Sequence, residues 1–165
     1  MIDMKKTPIL VLVFLLFTIS PATAFEYYMW GLGGYGNYYY EGDTFDGAAA
    51  GISGGIQASD ELSLEATVQW DEVDPDDYYF MTAGARYRFL KADFFMEPSV
   101  DIHGGILYPV GDKSDVDGVM GLGLALLYRT NYNIEFGPRV DSNIVFAGPH
   151  FGTMLSGTFF IGYRF

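Results

Sequence analysis

The sequence has no cysteine, only two histidines, and nine basic residues against 21 acidic ones. Without cysteine there is no disulfide, no thiolate zinc site, no iron–sulfur cluster and no lipid attached at a cysteine. The formal charge of −12 argues against nucleic acid as a partner, because phosphate contacts need Lys and Arg. No apolar run of about 18 residues occurs beyond the N-terminal segment, so no helical membrane span is expected. The most apolar later piece, Val119 to Tyr128, is broken by Gly121 and Gly123. Capped segments with a 3.6-residue period are scarce too. Half of the 165 residues are apolar and 18% are aromatic, which excludes a disordered chain and suits one domain.

The first segment reads as an export address. Lys5 and Lys6 precede an apolar run from Ile9 to Ile19, broken only by Thr18, and Ala22-Thr23-Ala24 follows. That order matches a signal peptide, with Ala22 and Ala24 as the small residues of the cleavage site. The expected organisation is a signal peptide over 1–24 and one β-barrel domain over 25–165. Losing Asp3, Lys5 and Lys6 leaves 20 acidic and 7 basic residues.

What recurs in the remainder is period-two alternation, the pattern of strands with one apolar face. Eight such segments are expected: Met29 to Tyr40, Ala48 to Ala58, Leu62 to Asp71, Tyr78 to Phe89, Asp93 to Leu107, Gly118 to Tyr128, Asn133 to Phe146 and Phe151 to Phe165. The third is the clearest. Leu62, Leu64, Ala66, Val68 and Trp70 point one way, and Ser63, Glu65, Thr67, Gln69 and Asp71 the other. In the first segment, Trp30, Leu32, Tyr38 and Tyr40 are placed on the apolar face. Short turns are expected around Ser59-Asp60, Leu90 to Ala92 and Arg129 to Asn131. Longer loops are expected at Glu41 to Gly47, Glu72 to Asp77, Pro109 to Asp117 and Ala147 to His150. Pro98 and Pro138 fall inside strands without an N–H to donate, so a bulge or register change is expected near each.

This layout suits either a soluble sandwich or lipocalin-like barrel, or an up-and-down membrane barrel. The faces favour the membrane. No Asp, Glu, Lys or Arg lies on the apolar face of any of the eight segments. Aromatic residues sort to both ends of the strands, as expected where rings meet lipid headgroups. Trp30, Tyr87, Phe89, Phe94, Tyr128, Tyr163 and Phe165 lie at the turn end. Tyr38, Tyr40, Trp70, Tyr79, Tyr108, Phe146 and Phe151 lie at the loop end. The expected fold is all-β, an eight-stranded antiparallel up-and-down transmembrane β-barrel.

The chain thus resembles small Gram-negative outer-membrane barrels of the OmpA/OmpX type. Its ending carries the most specific part of the resemblance. Phe159, Ile161, Tyr163 and Phe165 alternate up to a terminal Phe, which resembles the assembly signal read by the barrel-assembly machinery. The resemblance implies a bacterial outer-membrane location, contact with outer-membrane lipid and lipopolysaccharide, and a monomer. It implies a structural or surface-interaction role in the cell envelope. A narrow channel for ions or small solutes and a lipid A-modifying enzyme are the alternatives. The short loops depart from adhesive OmpX relatives, and no peptidoglycan-binding domain follows the barrel segment.

Eight strands enclose a space that side chains fill. The inward charges are Glu65, Arg86, Arg88, Glu97, Asp101, Glu135, Arg139, Asp141 and Arg164, and such charges must pair or neutralise. Phe80, Phe95, Leu127 and Phe160 also fall inward. An ion-pair core is therefore expected, with a gate of rearranging pairs as the functional alternative. Ser99, Asp101 and His103 share a strand face, but Ser99 and His103 lie about 13 Å apart at the usual rise per residue, too far for nucleophile and base. His150 has no Ser at a useful spacing, so no enzyme is expected. The acidic run Asp71 to Asp77 and the stretch Asp112 to Gly118 suggest cations, but the second puts Lys113 and Leu124 where an EF-hand needs ligands. No cofactor and no metal site is expected.

Overall fold

The computed structural model describes residues 26–165 except 41–42, 74–75, 91–94, 111–115 and 149. The proposed signal segment with Ala22 and Ala24, the Lys113 loop and Phe94 lie outside the described residues. Eight strands follow in chain order: β1 (Tyr27–Tyr40), β2 (Asp43–Gln57), β3 (Leu62–Val73), β4 (Asp76–Arg88), β5 (Glu97–Pro109), β6 (Asp117–Arg129), β7 (Ile134–Ala147) and β8 (His150–Arg164). Each pairs antiparallel with its sequence neighbour, and β1 pairs with β8 to close the barrel. The seam continues past the strand ends, where the Phe165 N–H donates to the Tyr27 carbonyl at 2.7 Å.

Alternation dictates which way each side chain points. Leu64, Ile102, Leu122, Leu124, Val140, Leu155 and Ile161 are exposed on the outer wall, while Glu65, Arg86, Asp101, Glu135, Arg139 and Arg164 are buried within. A water-soluble fold does the opposite. Aromatic pairs mark both margins of this apolar wall. Tyr87–Phe89, Tyr128–Phe136 and Tyr163–Phe165 pack at one end, and Phe146–Phe151 at the other. Strands of 12–15 residues exceed the 9–11 that a tilted strand needs to cross.

Four expectations need correction. Trp30 and Leu32 point inward, Trp30 with only 1% of its surface exposed. Tyr38 packs on an interior cluster as well. The outer wall of β1 carries Met29, Tyr35 and Tyr39 instead. The reason is polar: the Trp30 indole N–H donates to Glu135 Oε2 at 3.0 Å, and the Arg86 guanidinium lies 4.5 Å over its ring. Both partners exist only inside the barrel.

Loop length does not sort by end either. The β1–β2, β3–β4 and β7–β8 connections are two residues each, because Tyr40 pairs with Asp43, Val73 with Asp76 and Ala147 with His150. Gly148 supplies the positive φ that the last of these tight turns uses. The supposed short turn at Leu90 to Ala92 spans 89–96 instead, since β5 begins at Glu97. Phe95 therefore belongs to this connection, 84% exposed, and not to the interior. Finally, neither proline shifts the register. Pro98 is the second residue of β5 and pairs with Leu126. At Pro138 the β6–β7 ladder skips two pairs, then resumes unchanged at Tyr128↔Phe136.

These orientations have two measurable consequences. Leu124→Arg puts a guanidinium on the lipid face near mid-strand and should cost about 2–4 kcal/mol in urea unfolding from vesicles. In vesicles of brominated lipid, Trp30→Phe should keep the tryptophan quenching that partly exposed Trp70 gives from the outer wall. Trp70→Phe should remove most of it.

Candidate functional site

The barrel interior gathers the polar chemistry of the chain. Its centre is Arg139 on β7, which reaches three carboxylates from three other or adjacent positions. Nε donates to both oxygens of Asp141 at 2.8 Å, Nη1 to Glu65 Oε1 at 2.6 Å, and Nη2 to Asp101 Oδ1 at 3.1 Å. Arg86 on β4 joins the same group, 2.9 Å from Glu65 and 3.4 Å from Asp101. Tyr28 donates its hydroxyl to the other Glu65 oxygen at 2.9 Å. His103 sits between Asp101 Oδ1, 2.8 Å from Nδ1, and Asn143 Oδ1, 2.7 Å from Nε2.

Two inward glycines of β6 make room for this network. A Cβ on Gly123 would fall on the Asp101 and Asp141 carboxylates, and one on Gly121 on Asn143 and His103. The Gly-x-Gly that interrupts the apolar run in the sequence is thus a space for ions.

A second ionic group closes the turn end. Glu135, wholly buried, accepts from Arg129 Nε at 2.9 Å and Arg164 Nε at 2.7 Å through one oxygen, and from Trp30 through the other. Arg164 also donates to Glu26 at 2.8 Å and to Gln57. Arg88 donates to the Asp60 carbonyl at 2.9 Å, and Glu97 lies 3.7 Å from Arg88 and 3.8 Å from Arg129. The nine charges singled out from the sequence therefore divide into these two groups. Glu97 is the least enclosed of them, its side chain about one third exposed.

Apolar side chains fill the remaining space. Tyr28, Trp30, Leu32, Ala125, Leu127 and Phe160 form one cluster; Phe80, Leu107, Val119, Val145 and Met154 form another nearer the loop end. The Trp30 and Phe160 rings stack at 4.4 Å. Between the clusters, beside His103, Arg139, Asp141 and Asn143, remains a cavity of about 20 Å³, room for about one water.

The chemistry available here is pairing. Ser99 donates to the Ala125 carbonyl at 3.4 Å, while both nitrogens of His103 face other partners. Ser99 and His103 are thus not brought together. Asp101, His103 and Asp141 do offer ligand atoms within 4.8 Å of one another. Those atoms already serve Arg139 and Asn143, so a metal ion would have to displace the guanidinium.

Tyr28, Trp30, Glu26 and Arg129 belong to these groups and were not legible as such in the sequence. The ending has a separate geometry: Phe159, Ile161, Tyr163 and Phe165 all lie on the exposed outer face of β8 and its last residue.

Among solved structures, this architecture has close counterparts. Neisserial surface protein A matches with a TM-score of 0.65 at 14% identity, over 86% of this chain and 99% of that one. The N-terminal β-barrel domain of Pseudomonas aeruginosa OprF matches with a TM-score of 0.57 at 14% identity, over 85% of this chain and 97% of that one. The chain has the fold of a small outer-membrane β-barrel. The chain shares this fold across almost the whole of both counterparts, with little sequence in common. No protein-family model matches it, and no curated protein is similar to it in sequence.

Removing Arg139 should expose how much the central network matters. Arg139→Ala leaves Glu65, Asp101 and Asp141 facing one another with less compensation and should destabilise the barrel by about 3–5 kcal/mol in urea unfolding. Trp30→Phe removes one donor to buried Glu135 and should cost about 1–3 kcal/mol.

Proposed function

We propose that this protein is an integral barrel of the bacterial outer membrane with a structural or surface-interaction role in the cell envelope. The observation that carries this reading is the inverted polarity of the wall, apolar outside and ionic inside, together with an interior packed to one-water cavities. Such an interior supports a plug better than a conduit for solutes. The arrangement around His103 and Ser99 supports pairing better than acyl chemistry on lipid A.

Its partners in this reading are outer-membrane lipid and lipopolysaccharide, met by the aromatic margins of the wall. The barrel-assembly machinery would read the outward residues Phe159, Ile161, Tyr163 and Phe165. Export would remove residues 1–24 after Ala24. The closed outer wall, without an unpaired strand edge, suits a monomer.

Fractionation of the producing cell tests this directly. The protein should co-sediment with outer-membrane markers, start at Phe25, and migrate faster on gels unheated than boiled. Recovery in the soluble periplasmic fraction would refute it. Planar-bilayer recordings should show no discrete conductance.

A further inference from the structure

We propose that the loop-end mouth of the barrel holds a binding site for a primary ammonium group, with Asp71 as its counter-ion. Asp71 is 2% exposed and points inward near the top of β3. Its Oδ1 accepts from Gln69 Nε2 at 2.8 Å, whereas its Oδ2 is buried without a hydrogen-bond partner. A buried carboxylate left this way is costly unless something neutralises it. The chain solves that problem differently elsewhere. Glu65, Asp101, Asp141 and Glu135 each meet a guanidinium, but no described Arg or Lys pairs with Asp71.

Beside the carboxylate lies a small cavity of about 10 Å³ lined by Tyr38, Asp71, Tyr78, Phe80, Leu107 and Met154. The Tyr38 and Tyr78 rings stand 6.5 Å apart and are only half-buried, so the cavity faces the mouth through them. Size and lining select the ligand. The space suits a group the size of one water, which an –NH3+ is and a trimethylammonium or guanidinium is not. One carboxylate among aromatic rings and a thioether cannot supply the six or more oxygens of a calcium or magnesium site. It can supply an ion pair and ring faces, which hold an alkylammonium.

The surroundings bring such a cation in. The stretches 41–46, 71–77 and 112–117, which include or flank the loop-end connections, carry eleven of the 21 acidic residues and one of the nine basic ones. A mouth of one sign concentrates counter-ions. The ligand class is therefore a primary amine on an unbranched chain. The site needs no particular role for the barrel, so its failure would leave the structural reading intact.

Calorimetric titration of the detergent-purified barrel with spermidine at low salt tests the proposal. Saturable uptake is expected, weakened at least tenfold by Asp71→Asn and less than twofold by the rim substitution Asp77→Asn. Tetramethylammonium and magnesium should not displace the amine at equal concentration. Unchanged heat-dependent gel mobility would verify that Asp71→Asn still folds. Absence of saturable uptake would overturn the site, as would equal weakening by both variants or displacement by tetramethylammonium.

Discussion

Hydrocarbon offers the backbone no hydrogen-bond partner, and that constraint governs everything else in this molecule. Each N–H and C=O within the membrane must find its mate in a neighbouring strand, so the sheet cannot end in an edge. The β1–β8 pairing removes the two edges that seven sequential hairpins would otherwise leave. Once the ring is closed, the alternation of side chains assigns one face to lipid and the other to a narrow lumen. The apolar wall and the ionic core are two results of one geometric requirement.

The lumen then has its own problem, since charged groups sit where little water reaches them. The answer is density of pairing. Glu65 receives Arg86, Arg139 and Tyr28, and Glu135 receives Arg129, Arg164 and Trp30. Each shared carboxylate ties together strands far apart in sequence, such as β1 with β7 through Trp30. Inward glycines on β6 keep the space open for these groups, and apolar clusters occupy what the ions leave. Asp71 stands apart as the carboxylate for which the protein supplies no cation among its described residues.

Much of this was legible beforehand, for physical reasons. Where a strand alternates strongly, as in Leu62 to Trp70 against Ser63 to Asp71, hydropathy and geometry agree. Strand number, pairing order and the inward charges follow from that agreement. The reading failed on β1, where glycines remove the contrast between faces. There, aromatic character alone suggested lipid, but Trp30 also carries a polar N–H and a ring that favours cations. It failed again at the connections. Acidic and glycine-bearing stretches look like loops, yet Asp43, Glu72 and Asp77 extend the paired ladder to its rim. The position of the lone Asp71 pocket could not be foreseen, because it depends on which guanidiniums reach which carboxylates across the lumen.

The seam between β1 and β8 also sets a rule for how the molecule comes into being. The oldest strand off the ribosome must wait for the youngest before either has its second neighbour. The cylinder cannot close while β8 is still being made, although β2 to β6 each have both neighbours before it. Closure is therefore the last step, and until then the free edges of β1 and β8 need shelter from other chains.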